Sequence, residues 1–445
     1  MAEIKDSGTA WLGMIPKDWE LSKISSIYEL RTQKVSDKDY PPLSVTMNGI
    51  VPQLDSAAKT NAHDDRKLVK KGDFAINSRS DRRGSCGVSE YDGSVSLINT
   101  VMKPRDEMNP DYYNWLFHTI QFADEFYKWG HGIVDDLWTT NWQDMKHIDI
   151  PVPTLDEQKV IADYLNKAIP EIDALHTDIE KQIETLEEYK KSIITEAVTK
   201  GLDPDVEMKD SGIGLIGLIP KTWKIIKTKY VSNISIGLVT TMTTNYVDNP
   251  CDGVPLIRNG DIRTNKIKPN GMVYLSKKFV EQNSNRKLQE KDIVTVHTGY
   301  VGTSAVIKDE FIGSVGFATI QSRPNLDMVN ERYLCWFYNS NSFIEQCLLH
   351  NTGDGRQNLN LYDFVNLWIA LPDLKEQETI ADYLDLKCEE INMVIQEVNK
   401  QLETIEQYKK SLIYEYVTGK KEVPDYEWNI DWKAVSTFHH GLSKK

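Results

Sequence analysis

Ile161-Ala162-Asp163-Tyr164-Leu165 returns unchanged as Ile380-Ala381-Asp382-Tyr383-Leu384. Ahead of it Glu157-Gln158 returns as Glu376-Gln377. Behind it Tyr189-Lys190-Lys191-Ser192 and Val198-Thr199 return as Tyr408-Lys409-Lys410-Ser411 and Val417-Thr418, all at an offset of 219. Nearer the N-terminus the offset is 204. Asp6-Ser7-Gly8 returns as Asp210-Ser211-Gly212; Gly13, Ile15-Pro16-Lys17 and Trp19 return as Gly217, Ile219-Pro220-Lys221 and Trp223. The chain is therefore one unit written twice: a variable region of about 150–170 residues, then a near-copy segment of about 45. The second variable region is 15 residues longer, the difference between the two offsets. Two copies are too few for a solenoid, and they suit a pseudo-two-fold molecule.

The near-copy segments carry a helical period. Ile172, Leu175, Ile179, Ile183, Leu186, Tyr189, Ile193 and Ala197 step by three and four. Ile391, Val394, Val398, Leu402, Ile405, Tyr408, Leu412 and Tyr416 do the same. Each is an apolar stripe on a polar cylinder, and the other copy is the natural partner for such a stripe. Proline is tolerated in a first turn but not in a helix interior, so Pro170 predicts that the long first helix starts there, after a shorter one from Asp156. Gly201 and Gly419 are stop signals. About 29 residues at about 1.5 Å each give a rod of about 43 Å, which would hold the variable regions a set distance apart.

The variable regions read as mixed α and β. Asp292–Val296, Phe74–Asn77 and Ser304–Ile307 are short β-rich runs. Tyr112–Phe126 and Glu331–Cys347 read as single helices, and each region closes in an apolar strand ending in proline, Ile148–Pro153 and Leu367–Pro372.

The net charge of −14 speaks against nucleic-acid binding only as an average. Residues 155–201 hold 11 acidic and 6 basic side chains, and residues 374–420 hold 10 and 6. Residues 66–103 hold 8 basic against 4 acidic, and residues 256–291 hold 9 against 3. Steering follows local potential, not the whole-chain sum. The five cysteines are odd in number and lack C-x-x-C spacing. They suit a reducing cytoplasm and no zinc or disulfide framework. No signal peptide or membrane-length apolar run is seen.

Gly212-Ile213-Gly214-Leu215-Ile216-Gly217 matches G-x-G-x-x-G, but Ile219-Pro220 follows at once where a helix should open, and the first copy lacks the middle glycine. A dinucleotide site is rejected on that ground. P-loop, zinc-protease and nucleophile-elbow motifs are absent, as is an N-P-P-Y or D-P-P-Y run. His439-His440 sits in a polar tail and is read as non-ligating. No catalytic constellation emerges, which favours a binding protein. What remains are polar and basic loops: Arg79, Arg82 and Arg83; Arg258, Asn259 and Arg263; Thr298 and Tyr300; Arg356 and Gln357. Arginine forks suit guanine edges, and Asn or Gln suits adenine. Gly, Asn and Asp also favour plain surface turns. A coiled-coil scaffold with no DNA role is the rival reading.

The repeated closing motif, Pro153-Thr154-Leu155-Asp156-Glu157-Gln158 and Pro372-Asp373-Leu374-Lys375-Glu376-Gln377, resembles that of type I restriction–modification specificity subunits over nearly the full length. So do the opening Asp210-Ser211-Gly212…Ile219-Pro220-Lys221-Thr222-Trp223 and the helix end Glu196–Gly201. The resemblance implies an α+β fold: two globular mixed α/β target-recognition domains (1–154 and 202–373), separated by two long antiparallel, coiled-coil-like helices (155–201 and 374–420), with a tail at 421–445. It implies a cytoplasmic, non-catalytic reader of a bipartite site, with the helices setting the gap. The seam would be Ile172, Leu175, Ile179, Ile183, Leu186 and Ile193 against Ile391, Val394, Val398, Leu402, Ile405 and Leu412. Implied partners are double-stranded DNA, two methyltransferase subunits and two restriction subunits. S-adenosylmethionine and ATP with Mg would reside on those partners, and no cofactor on this chain. The tail is expected to pack back on the N-terminal domain.

Overall fold

The computed structural model describes residues 3–53, 63–79, 82–133, 138–239, 242–350 and 357–424. Arg356, His439-His440 and all of the tail beyond 424 lie outside them. The chain divides into two compact units, Met1–Glu180 with Asn399–Lys445, and Lys181–Val398. The division cuts through both long helices, so each unit owns half of each.

Both units are built on the same antiparallel four-stranded sheet. In the first its order is Cys86–Val88, Phe74–Asn77, Asn99–Pro104, Tyr28–Leu30. In the second it is Ser304–Val306, Ile293–Val296, Thr319–Pro324, Ser232–Ile236. The closing strands Asp149–Val152 and Trp368–Leu371 pair with Glu20–Lys23 and Lys224–Lys227. Each opening motif is a hairpin, Ile4–Asp6 with Met14–Pro16 and Met208–Asp210 with Leu218–Pro220. Gly212–Gly217 is the turn of the second hairpin and opens no helix.

The aromatic segments form two helices each, not one: Pro110–Phe117 then Ile120–Lys128, and Glu331–Tyr338 then Asn341–Leu349. Thr119 and Ser340 cause the break. Each hydroxyl accepts the N–H three residues on, from Phe122 and Phe343, which starts a new helix. Their aromatic faces fill the cores, with Tyr28, Phe74, Tyr113, Phe117 and Phe122 packed ring on ring in the first unit.

The closing motif is a capping device. Thr154 Oγ1 accepts the Glu157 N–H, and Glu157 returns a carboxylate to the Thr154 N–H at 2.9 Å. Glu157 also accepts Trp19 Nε1 at 3.1 Å, while buried Gln158 accepts the Asn109 N–H and donates to Pro153 O. In the second unit Asp373 caps Glu376, Glu376 accepts Trp223 Nε1 at 3.0 Å, and Gln377 joins Asn330 to Pro372. The repeated Trp, Glu and Gln thus lock helix start to opening hairpin in each unit.

Both helices run unbroken, Leu155–Lys200 and Leu374–Val417. Pro170 therefore lies inside the first, contrary to the expected start there. Its neighbours Ala168, Ile169 and Ile172 are all buried, and that packing holds the segment helical despite a missing N–H. Pro170 itself is exposed. Pro170→Ala should raise stability by about 2–2.6 kcal/mol, the helix penalty less the lost unfolded-state restriction. A chemical denaturation midpoint that stays put or falls would contradict this.

The pairing is antiparallel within each unit. In the first, Tyr164 meets Tyr416 at 4.5 Å between ring centroids, Asp173 meets Lys409, and His176 meets Glu406 at 3.3 Å. Moving three residues up one helix moves three down the other. Ile172, Ile179, Ile405 and Leu412 are buried here; Leu175 and Leu402 are half-buried. In the second unit Lys190 donates to Asn392 at 3.0 Å. Ile193 and Ile391 share its core, with Ile183 and Leu186 packed against it, and Val398 is buried. Val394 departs from the expected seam. It is 47% exposed, and Ile395 takes its place, because Ile391, Ile395 and Val398 fall on one face while Val394 is turned about 100° away from Ile395. Tyr189 is likewise exposed, whereas its copy Tyr408 is buried.

The helix ends dock as the repeat requires. Gly201 (φ +78°) and Gly419 (φ +66°) take the left-handed conformation that ends a helix. A side chain at Gly419 would run into Pro16 and Trp19, and one at Gly201 would press on Trp223. Tyr112 donates to Val417 O at 2.8 Å, and its counterpart Tyr333 to Val198 O at 3.2 Å. The N-terminal hairpin is held by Tyr414 and Lys420, which donate to Trp11 O and Leu12 O. Among the described residues these contacts come from Tyr414 in the helix and Lys420, three residues past its end; the tail expected to pack there lies mostly outside them.

Candidate nucleic-acid interface

In each unit the strand at the middle of the main sheet runs out into a loop, and a second loop from just before the closing strand lies beside it. In the first unit Thr140 N–H donates to Ser78 O at 2.9 Å, and Arg79 and His131 both bridge Thr139. In the second Leu359 N–H donates to His297 O at 3.0 Å, and Thr298 bridges Asn358. Arg79 and Thr298, like Thr139 and Asn358, are copies at the offset of 219. The candidates around Arg79 in the first unit, and Thr298, Tyr300 and Gln357 in the second, thus fall on a paired-loop tip in each unit.

The first tip is cationic. Arg79 and Arg82 are exposed. Asn77 Oδ1 accepts the Arg79 N–H at 3.0 Å and Ser78 Oγ meets Thr100 Oγ1 at 3.0 Å, which fixes the loop's base. Arg83 is engaged within the unit, with its guanidinium 4.8 Å from the Tyr127 ring centroid and paired with Asp124. A neighbouring hairpin turn, missed in the sequence, carries Met47 at 70% exposure and is shaped by Thr46 Oγ1, which accepts the Asn48 N–H. Its only sequence signal is Asn48-Gly49.

Among the described residues the second tip is polar and aromatic. Thr298 Oγ1 donates to Asn358 Oδ1 at 3.1 Å; Gly299 N–H donates to Gln357 O at 3.1 Å; Gln357 is exposed. Asn259 ties in a third loop, since its Oδ1 accepts the His297 N–H at 3.0 Å and its Nδ2 donates to Ala318 O. Burial lowers the pKa of His297 and so favours its neutral form.

Two sequence candidates have other work. Arg258 gives its fork to Asp261, both bonds at 2.9 Å, and donates again to Gly271 O. Arg263 donates to Gly260 O and Ile262 O of its own turn. Arg258-Asp261 stabilises a loop; its fork is filled, so it is not poised for a base. The Asp73–Arg31 and Asp292–Arg323 pairs, whose carboxylates are buried, are likewise structural. The aspartates are copies, but the arginines come from different strands, or their ends, on the same sheet.

A profile for the Type I restriction modification DNA specificity domain matches residues 16–185 and again 220–404. A putative type I restriction enzyme MjaX specificity subunit of Methanocaldococcus jannaschii is 25% identical over 437 residues, spanning 93% of this chain and 96% of that protein. The EcoBI specificity subunit of Escherichia coli is 24% identical over 298 residues, 64% of this chain and 59% of that one. Among solved structures, one described as the structural basis underlying complex assembly and conformational transition of the type I R-M system superposes with a TM-score of 0.70. It covers 92% of this chain and 99% of its own at 14% identity. The HsdS subunit from Thermoanaerobacter tengcongensis gives 0.50 at 15% identity, covering 92% and 98%. Both likenesses concern the fold.

Proposed function

Because the chain belongs to the type I restriction–modification DNA specificity family, we propose that each unit reads one half of a bipartite DNA site through its paired-loop tip. The chain is a non-catalytic recognition subunit that works with methyltransferase and restriction subunits. The observation that carries this is the double family match, which falls on both halves of the duplicated chain. The scaffold rival has no comparable support. Among the described residues no helix is long and apolar enough to cross a membrane, and we place the assembly in the cytoplasm. S-adenosylmethionine and ATP with Mg belong, on this reading, to the partner subunits.

The test is a map of modified adenines in cells with and without this chain. It should yield one split target, and loss of the chain should abolish modification there. An unchanged map would sink the proposal. In the same reading the paired helices fix the number of unread base pairs. Four residues inserted within Thr185–Lys191 add about one helical turn. The mapped half-sites should keep their bases and change their spacing; altered bases at unaltered spacing would reject the helices as the ruler.

A further inference from the structure

Tyr300 is 86% exposed, on a loop whose described residues are closed by backbone bonds. Val296 N–H donates to Thr303 O and Gly302 N–H to Val296 O, closing the turn across the strand ends. Val301, the next residue, is buried at 2% exposure. Gly302 sits at φ +87°, so close to Cys347 that a Cβ there would approach its sulfur to 3.3 Å. The turn is thus anchored on one side by Val301 and held out on the other by Tyr300. Folding draws no benefit from an aromatic ring placed in water.

The first unit has a counterpart in the same region. Ile133 is 95% exposed and lies two residues from His131, which bridges Thr139 beside Arg79. Single exposed apolar side chains are ordinary. One at the same paired-loop tip in each of two copies, from different loops and of different chemistry, is a pattern. In the second unit the ring is accompanied by exposed Gln357, a residue type that hydrogen-bonds base edges, while Asn259 and Thr298 hold the tip together.

We propose that Tyr300 contacts DNA through its ring face, as an apolar wedge against a base step of the half-site read by the second unit, with Ile133 the equivalent in the first. This rests on the DNA-reading function proposed above. Wedges of this kind trade partial unstacking for a bent duplex that meets more protein surface, and ring-on-base contact requires neither a hydroxyl nor a phosphate.

The test uses the assembled methyltransferase and a duplex carrying the mapped target, alongside a shuffled duplex. Tyr300→Ala should weaken target binding about 5- to 150-fold, Tyr300→Phe should bind as the parent does, and the dependence on salt should be unchanged in both. Equal binding by Tyr300→Ala overturns the wedge. So does an equal loss in Tyr300→Phe, which would assign the contact to the hydroxyl, or a salt slope shallower by about one, which would assign it to a phosphate. Because the side chain lies in solvent, thermal unfolding of both variants should match the parent. A parent complex that fails to prefer the target over the shuffled duplex would instead reject the DNA-reading function itself.

Discussion

Trp223→Ala is expected to destabilise the second unit by about 3–5 kcal/mol, read as a fall in the denaturation midpoint at unchanged slope. Trp223 is 1% exposed and lies in the core that joins the opening hairpin, the recognition domain and both helix halves of its unit. Truncation opens a cavity that Gly201 cannot fill, since its missing side chain is what admits the ring. It also removes the donor to Glu376. Trp223→Phe separates these terms, because it keeps most of the ring and loses only the N–H, and it should cost less than half as much. A loss below about 1 kcal/mol in the alanine variant would show that the motif is not the keystone the repeat suggests.

The two glutamates that face these tryptophans should respond to pH in opposite senses. Burial pushes the Glu376 carboxyl up; the Trp223 bond opposes this, and Asp373 nearby adds to it, so its pKa lies above the usual value. Its contribution is therefore full below the unfolded-state pKa and lost as pH rises through the folded one. Burial pushes Glu157 up too, but the two Thr154 bonds and Trp19 together bring it below the usual value. Its contribution is full above the unfolded pKa and lost as pH falls through the folded one. One position of the repeat differs beside the two carboxyls, Thr154 against Asp373. Asp373→Thr should therefore lower the Glu376 pKa, as measured by carboxyl titration in NMR; no change would assign the difference to burial alone.

How much of this was legible in the sequence depends on whether the determinant is local. The duplication and the two long helices were readable because the same residues recur at fixed offsets and an apolar stripe steps by three and four, and the antiparallel pairing followed from the family resemblance; that the closing motif caps each helix was not read from the sequence. Pro170 misled because its penalty is local while the burial of Ala168, Ile169 and Ile172 that outweighs it is not. Thr119 and Ser340 looked like helix interior because a cap differs from an interior residue only in where its hydroxyl points. Arg258 read as a base contact because a sequence shows a guanidinium but not the Asp261 that fills it. The pairing of the loop around 79 with that around 139 joins segments sixty residues apart, and no periodicity announces it.

Arg79→Ala combined with Arg82→Ala should weaken target binding by the assembled methyltransferase by about 2–6 kcal/mol if both forks meet bases, roughly thirtyfold to more than ten-thousandfold. The double substitution leaves the core intact: both side chains are exposed, and the loop is held by backbone bonds at Ser78, Thr139 and Thr140. Subunit assembly and thermal stability should therefore be unchanged. Arg83→Ala should weaken binding less, because its guanidinium already lies against Tyr127 and Asp124 and must leave them to reach DNA. Salt titration decides what the arginines do. Lost base contacts lower affinity on the target far more than on a shuffled duplex, whereas lost phosphate contacts lower both alike and make the log–log salt slope shallower by about one per arginine. An unchanged affinity on the target would remove this loop from the interface, and with it the view that the first unit reads its half-site with cations.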